Sequence, residues 1–384
     1  MKKLIAILLV ATMVLSLTAC GGGGTTSQSA AGSTAPAATS DSTPAAPESD
    51  TSAGGEKIGV SMPTQSLQRW NQDGANMKSL LEAAGYVVDL QYAGDNDIPT
   101  QVSQIENMIS GGCKVLVIAA IDGSALTTVL DDAKAKDISV IAYDRLIMNS
   151  DAVSYYATFD NWKVGTLQGK YIEEALDLPN AAGPFNIELT TGSPDDNNIN
   201  FFFGGAMEVL KPYIDSGKLV VQSGQTEIGQ CATQNWSTEK SQERMENLIS
   251  SQGYGPNGTK LDAVMCSNDS TAQGVTNALV NAGYTADNFP IITGQDCDKP
   301  SVINMIAGTQ SMSVFKDTRT LAAQVVKMVD AIMKGTQPEI NDTETYDNGT
   351  GIIPSFLCDP VVGTVDNYKE LLIDSGYYTE AELA

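Results

Sequence analysis

Residues 99–145 read PTQVSQIENMISGGCKVLVIAAIDGSALTTVLDDAKAKDISVIAYDR, two helices and two strands in alternation. Val115–Ala119 and Val140–Tyr143 are short, unbroken apolar runs, the pattern of strands buried on both faces. Ahead of the first, Val102, Ile105, Met108 and Ile109 share one face of a helix over Pro99–Ser110. Asp97 stands at its N-cap and Pro99 in its first turn. Ala125–Ala135 reads as the second helix. Strands separated by helices run parallel, because each crossover returns the chain to the same edge. The resulting sheet is covered by helices on both faces.

The alternation extends in both directions. Ile58–Ser61, Val87–Tyr92 and Ser154–Thr158 read as further strands, and Leu67–Ala84 as a helix. A second block follows, with strands at Phe185–Thr190, Leu219–Gln222, Ala263–Cys266, Ile291–Thr293 and Ser311–Phe315. Its helices fall at Trp162–Leu176, Asn198–Leu210, Thr238–Ser250, Thr271–Ala282 and Thr318–Met333. Two blocks of similar length make an α/β chain of two doubly wound parallel-sheet domains. In such sheets ligands bind beyond the carboxyl ends of the strands.

Composition removes several classes of function. The 384 residues contain no histidine, which excludes Ser-His-Asp and Cys-His catalysis and His-ligated metals. The formal charge of −24 opposes binding to nucleic acid. No glycine-rich GxGxxG follows Ile58–Ser61 and no Walker motif occurs, so no nucleotide cofactor is expected, no metal, and no enzymatic activity. Beyond Cys20 the cysteines are Cys113, Cys231, Cys266, Cys297 and Cys358, too widely spaced for a zinc knuckle or a CxxC pair.

At the N-terminus, Lys2 and Lys3 precede an apolar run from Leu4 to Leu17, which ends in Leu17-Thr18-Ala19-Cys20. The arrangement resembles a bacterial lipoprotein signal. It implies that residues 1–19 are a signal peptide, that Cys20 is lipidated, and that the chain is held to the membrane by acyl chains alone. Gly21 to Gly55 is nearly all Gly, Ser, Thr, Ala and Pro, so residues 20–56 read as a flexible tether.

The strand ends carry one coherent chemistry. Arg69-Trp70 follows the first strand, Asp122 the third, and Asp144-Arg145 the fourth. In the second block come Asn198, Asn268-Asp269 and Asp296, with Lys316 after the last strand and Trp236 before the helix at Thr238. Carboxylates accept, guanidinium and ammonium donate, and amides do both, which matches the hydroxyls of a monosaccharide. The indoles of Trp70 and Trp236 suit the apolar faces of a pyranose. Asp160-Asn161 reads instead as the cap of the helix at Trp162.

The segments Arg69-Trp70, Ser103–Ile109, Val115–Ile118, Ala142–Ile147, Ala157–Asn161, Gly192–Asn198 and Gly294-Gln295-Asp296 together resemble the monosaccharide-binding proteins of bacterial ABC importers. The likeness is to the multiple-sugar-binding and xylose-binding members of the type I periplasmic binding fold. It implies a three-strand hinge between residues 57–158 plus 317–342 on one side and 159–316 plus 343–384 on the other. It further implies a sugar site formed by Arg69, Trp70, Asp144, Arg145, Asn198, Trp236, Asn268, Asp296 and Lys316, with Asp122 and Asp269 close by. The expected function is capture of an aldose (xylose, glucose, galactose or arabinose) and its delivery to an ABC permease by a monomer outside the cytoplasm, at the cell surface or in the periplasm. A second reading is a sensor that presents the sugar to a chemoreceptor or sensor kinase.

Overall fold

The computed structural model describes residues 55–384; the signal, Cys20 and almost all of the tether lie outside them. The chain begins β1 (Lys57–Met62), α1 (Gln68–Ala83), β2 (Val87–Tyr92), α2 (Ile98–Ser110), β3 (Val115–Ile118), α3 (Thr127–Ala135), β4 (Ser139–Tyr143) and β5 (Val153–Phe159). It continues with α4 (Asn161–Ala175), β6 (Phe185–Thr190), α5 (Asn198–Asp215), β7 (Leu219–Val221), α6 (Ile228–Cys231), α7 (Thr238–Gln252), β8 (Ala263–Cys266) and α8 (Asp269–Asn281). It closes with β9 (Ile291–Ile292), α9 (Lys299–Ala307), β10 (Ser313–Phe315), α10 (Thr318–Met333), β11 (Ser355–Cys358) and β12 (Val361–Gly363).

Two parallel sheets result. The first has the order β11-β5-β4-β3-β1-β2 and the second β7-β6-β8-β9, while β10 and β12 form an antiparallel pair. Leu116, Ile118, Val140 and Ala142 face one side of the first sheet, and Val115, Val117 and Ile141 the other. Every residue of β3 is therefore buried, which explains its unbroken apolar run. Asp97 caps α2 by accepting from the Thr100 amide at 3.1 Å, and Asp160 caps α4 by accepting from the Lys163 amide at 2.9 Å. Helices α4 and α5 pack closely because Gly165 and Gly205 carry no side chain: a Cβ at Gly165 would lie 2.0 Å from the Phe202 carbonyl oxygen.

The chain crosses between the sheets three times, at residues 159–161, 315–318 and 358–361. Two crossings run side by side, with the Asp160 amide donating to the Cys358 carbonyl at 3.0 Å. Helix α10 returns to the first sheet, where Leu321, Val325 and Met328 share a core with Ile58, Val60 and Met77. One boundary needs correction. Residues 343–358, expected with the second domain, lie on the first sheet: β11 pairs with β5, and Tyr346 and Ile353 join the core with Ile147 and Val153. The return crossing comes only at residues 358–361.

All five cysteines among the described residues are unbridged and buried, so Cys266 and Cys297 do not pair. Burial pushes the thiols up, to about 11 for Cys113 and Cys231 and about 12 for Cys358. Among the described residues, no helix is long and apolar enough to cross a membrane.

Candidate functional site

The carboxyl ends of the two sheets face a cavity of about 410 Å³, solvent at its mouth included. The first side supplies Leu67, Arg69 and Trp70 after β1 and Asp144 and Arg145 after β4. The second supplies Asp196 and Asn198 after β6, Phe202 from α5, Trp236 before α7, Asn268 and Ser270 after β8, Gln295, Asp296 and Asp298 after β9, and Lys316 after β10. Nine of the residues read from the sequence thus meet in one place: Arg69, Trp70, Asp144, Arg145, Asn198, Trp236, Asn268, Asp296 and Lys316.

Ion pairs cross the cleft. Arg69 places Nε 2.9 Å from Asp73, Nη2 2.5 Å from Asp144 and Nη1 3.4 Å from Asp296. Lys316, 2 % exposed, holds its Nζ 3.2 Å from Asp296 and 3.6 Å from Asp144. Arg145 donates through Nη1 to the carbonyls of Ala120 and Ile121 at 3.0 and 3.2 Å. Its Nε lies 3.0 Å from the Asp196 carboxylate but out of line for a hydrogen bond, so that contact is an ion pair only. Burial works to raise the Asp144 carboxyl, yet Arg69, Lys316 and Arg145 outweigh it and hold it below the usual carboxylate value. For Asp73 and Asp196 burial prevails over the facing arginine, and both carboxyls are pushed up. The Tyr143 hydroxyl donates to Asp73 from beneath.

The backbone is fixed just as firmly. Asp144 (φ 59°), Trp236 (φ 55°) and Asp296 (φ 99°) are all left-handed, a conformation side-chain-bearing residues rarely adopt and which gathers at functional sites. The Asp144 carbonyl accepts from Tyr156 Oη at 2.6 Å, Asn198 Nδ2 at 2.8 Å and Thr158 Oγ1 at 3.0 Å. Asn198 therefore ties the second side to the first. Asn268 spends its side-chain oxygen on the Thr271 amide at 3.0 Å as the cap of α8, so its amide N–H is what it can offer a ligand.

The two indoles differ in their surroundings. Trp70 is buried against Met77 and Val60, with the guanidinium carbons of Arg69 and Arg145 at 4.9 and 5.1 Å from its ring centroid. Trp236 donates from Nε1 to Asp196 at 3.2 Å and meets Phe202 edge-on at 6.2 Å. It is seated against Gly192, where a Cβ would come within 2.2 Å of its ring.

Two residues read from the sequence stand apart from the cavity. Asp122 turns its carboxylate onto the Ser124 amide at 2.8 Å, closing a local turn. Asp269 is fully buried behind the wall and accepts from Ser313 Oγ at 2.9 Å, Gln310 Nε2 at 3.0 Å and the Asp298 amide at 2.8 Å. It positions the loop that carries Asp296 and Asp298 and offers that loop's ligands nothing directly. Six lining residues had escaped the sequence reading: Leu67, Asp196, Phe202, Ser270, Gln295 and Asp298. Asp196 belongs to the segment Gly192–Asn198 already singled out. Asp298 precedes Pro300 and the helix closed by Gly308, a legible start-and-stop signal. Among the described residues, no cluster of three or more potential ligands could hold a metal ion.

Comparison with known proteins agrees with this architecture. The chain is 52 % identical over 328 residues to a multiple sugar-binding periplasmic receptor of Rhizobium radiobacter, covering 85 % of this chain and 92 % of that one. It is 37 % identical to the D-xylose-binding periplasmic protein of Escherichia coli, covering 85 % and 92 %. A crystal structure of an ABC transporter solute-binding protein from Clostridium phytofermentans with bound β-D-glucose is 66 % identical, with a TM-score of 0.83, over 86 % of this chain and all of that one. Residues 58–337 match the model of the periplasmic binding protein domain. With two parallel sheets joined by three crossings around a charged cleft, the chain belongs to the type I periplasmic binding protein family, whose members bind substrates for transport rather than transform them.

Proposed function

We propose that the protein captures a monosaccharide, an aldose such as xylose, glucose, galactose or arabinose, and delivers it to an ABC permease. The observation that carries this reading is the set of buried ionic contacts from Arg69, Arg145 and Lys316 to carboxylates around one small cavity. Such a site presents fixed charged donors and acceptors to a compact polyhydroxylated ligand and has indoles beside them for its apolar face. The two lobes are residues 57–159 with 318–358, and 161–315 with 361–384. They open and close about the three crossings, and the ligand stabilises the closed form. Arg69, Trp70, Arg145, Asn198, Trp236, Asn268, Asp296 and Lys316 are the contacts, with Asp144 fixing Arg69 and Lys316 in place.

A thermal-shift screen with a panel of aldoses tests the reading. A ligand at a hundred times its Kd stabilises the folded form by about 2.7 kcal/mol. At least one aldose is expected to raise the transition in this way; a panel in which none does refutes the reading.

The protein acts as a monomer outside the cytoplasm, tethered through lipid on Cys20. Support for the anchor comes from the basic n-region, the apolar run and Leu17–Cys20. Cys20→Ser is expected to release a soluble body that still binds sugar. A variant that stays with the membrane fraction refutes the anchor.

A further inference from the structure

Asp298 occupies the N-cap of α9, yet its carboxylate makes no capping bond. An Asp at this position ordinarily turns its side chain onto the first helical amides. Here the Lys299 amide is met at 3.3 Å by Gln68 Oε1, which reaches across from α1. The Asp298 carboxylate is thereby released. It lines the cavity at 6 % exposure, and its Oδ1 has no protein partner. A buried polar oxygen without a partner is costly unless something absent from the free protein satisfies it.

We propose that Asp298 is a ligand-contacting residue of the cleft, and that it meets the sugar as a neutral carboxylic acid whose O–H donates to an acceptor oxygen on the ligand. This rests on the monosaccharide reading above.

The surroundings dictate the protonation state. Facing Asp298 are Asp296 from its own loop, Asp269 from α8, Arg69 from α1, Lys316 after β10, and Tyr377 and Tyr378 from the C-terminal segment. Lys299 beside it turns its ammonium to Glu382 at 2.6 Å. Four carboxyls (Asp73, Asp144, Asp296 and Asp298) draw on the two cations Arg69 and Lys316. Those cations are already committed at close range to Asp73, Asp144 and Asp296. Burial and the Asp296 charge push the Asp298 carboxyl up to about 7, against the opposing pull of Arg69 and Lys316. Asp269 is pushed well above the carboxylate range by burial and by the Asp298 charge.

The chemistry of recognition points the same way. Arg69 places Nε, Nη1 and Nη2 on carboxylates, and Arg145 places Nη1 on two carbonyls, so these guanidinium donors are already spent while acceptors abound. A sugar ring oxygen only accepts. A neutral acid supplies a further donor beside the Asn268 amide, and a bound sugar that expels water makes ionisation of Asp298 less favourable still. Binding should therefore carry a proton into the complex wherever free Asp298 is ionised.

Isothermal titration with D-glucose and D-xylose, in phosphate and in Tris, measures both affinity and proton uptake. With Asp298 titrating near 7, its neutral fraction falls about tenfold between about pH 6 and about pH 8. Wild-type affinity should fall by up to that factor, with uptake of nearly one proton per sugar at the upper pH. Asp298→Ala should weaken binding at about pH 6 by roughly 3- to 10-fold, the worth of one hydrogen bond. Asp298→Asn, whose amide still donates, should weaken it less, and should abolish both the pH slope and the proton uptake. Wild-type proton uptake that persists in Asp298→Asn, or full affinity in Asp298→Ala, overturns the proposal while the monosaccharide reading stands. Failure of the wild type to bind any aldose sinks both.

Discussion

Lys316→Met takes away the ammonium that lies between Asp144 and Asp296. At 3.2 and 3.6 Å, each attraction is worth about 5 kcal/mol at an effective dielectric of about 20. Much of that sum is offset in the wild type by the several kcal/mol needed to strip water from a buried ammonium. Methionine fills the same volume, so no cavity opens. The net loss on removing one partner of a buried ionic cluster is about 3–5 kcal/mol. Its pH dependence has a definite sign. The Asp144 carboxyl is held below its ordinary value, so it contributes stability above its unfolded pKa of about 3.9, which is lost as pH falls through the folded value. Without Lys316 the folded value rises. The deficit of the variant should then be full at neutral pH and should shrink toward about pH 4 as the stranded Asp144 carboxylate protonates. Urea unfolding followed by tryptophan fluorescence, at neutral and at acid pH, measures both quantities. A deficit under about 1 kcal/mol at neutral pH, or one of equal size at both, would refute the reasoning.

Arg145→Ala and Asp296→Ala should each weaken aldose binding by about 2–4 kcal/mol while preserving the circular dichroism of the fold, because each strands a buried charged partner or a sugar hydroxyl. Unchanged calorimetric affinity in both would remove them from the site. Saturating aldose should shift tryptophan fluorescence, and the shift should shrink in Trp70→Phe but survive in Trp162→Phe. Trp162 is 42 % exposed and donates to Glu208 at 2.8 Å, away from the cavity lining. Trp70→Ala should cost about 1–3 kcal/mol of affinity; normal binding by that variant, with the signal residing in Trp162, would end the two-indole arrangement. Gly192→Ala should displace the Trp236 indole, since its Cβ would fall 2.2 Å from the ring, and crystals of the variant with an unmoved indole would contradict that seating.

Periodicity made most of the framework readable. The helix expected over Thr318–Met333 has those same bounds, and the caps at Asp97 and Asp160 bond as their positions imply. What escaped was short or locally ambiguous. Ser355–Cys358 becomes a strand because β5 offers an open edge, and four residues in isolation do not reveal that partner. Residue type at a strand end proved a good guide to the cavity but not to the direction of each side chain. Asp122 is drawn into its own turn, while Asp269 is drawn inward by Ser313 and Gln310, partners over 40 residues away in sequence. Asp196 and Asp298 went the other way, into the cavity, through backbone turns that residue identity alone does not specify.

The buried cysteines have a practical consequence. Maleimides and iodoacetamides attack the thiolate, and thiols held near 11 or 12 and shielded from solvent supply almost none at neutral pH. A body beginning at Lys57 is in effect blank to such reagents. One cysteine introduced at exposed Glu106 on α2 and another at exposed Glu246 on α7 would then be the only sites to react. Donor and acceptor dyes placed there would sit on opposite lobes, so energy transfer between them would follow opening and closing molecule by molecule, without replacing any native thiol.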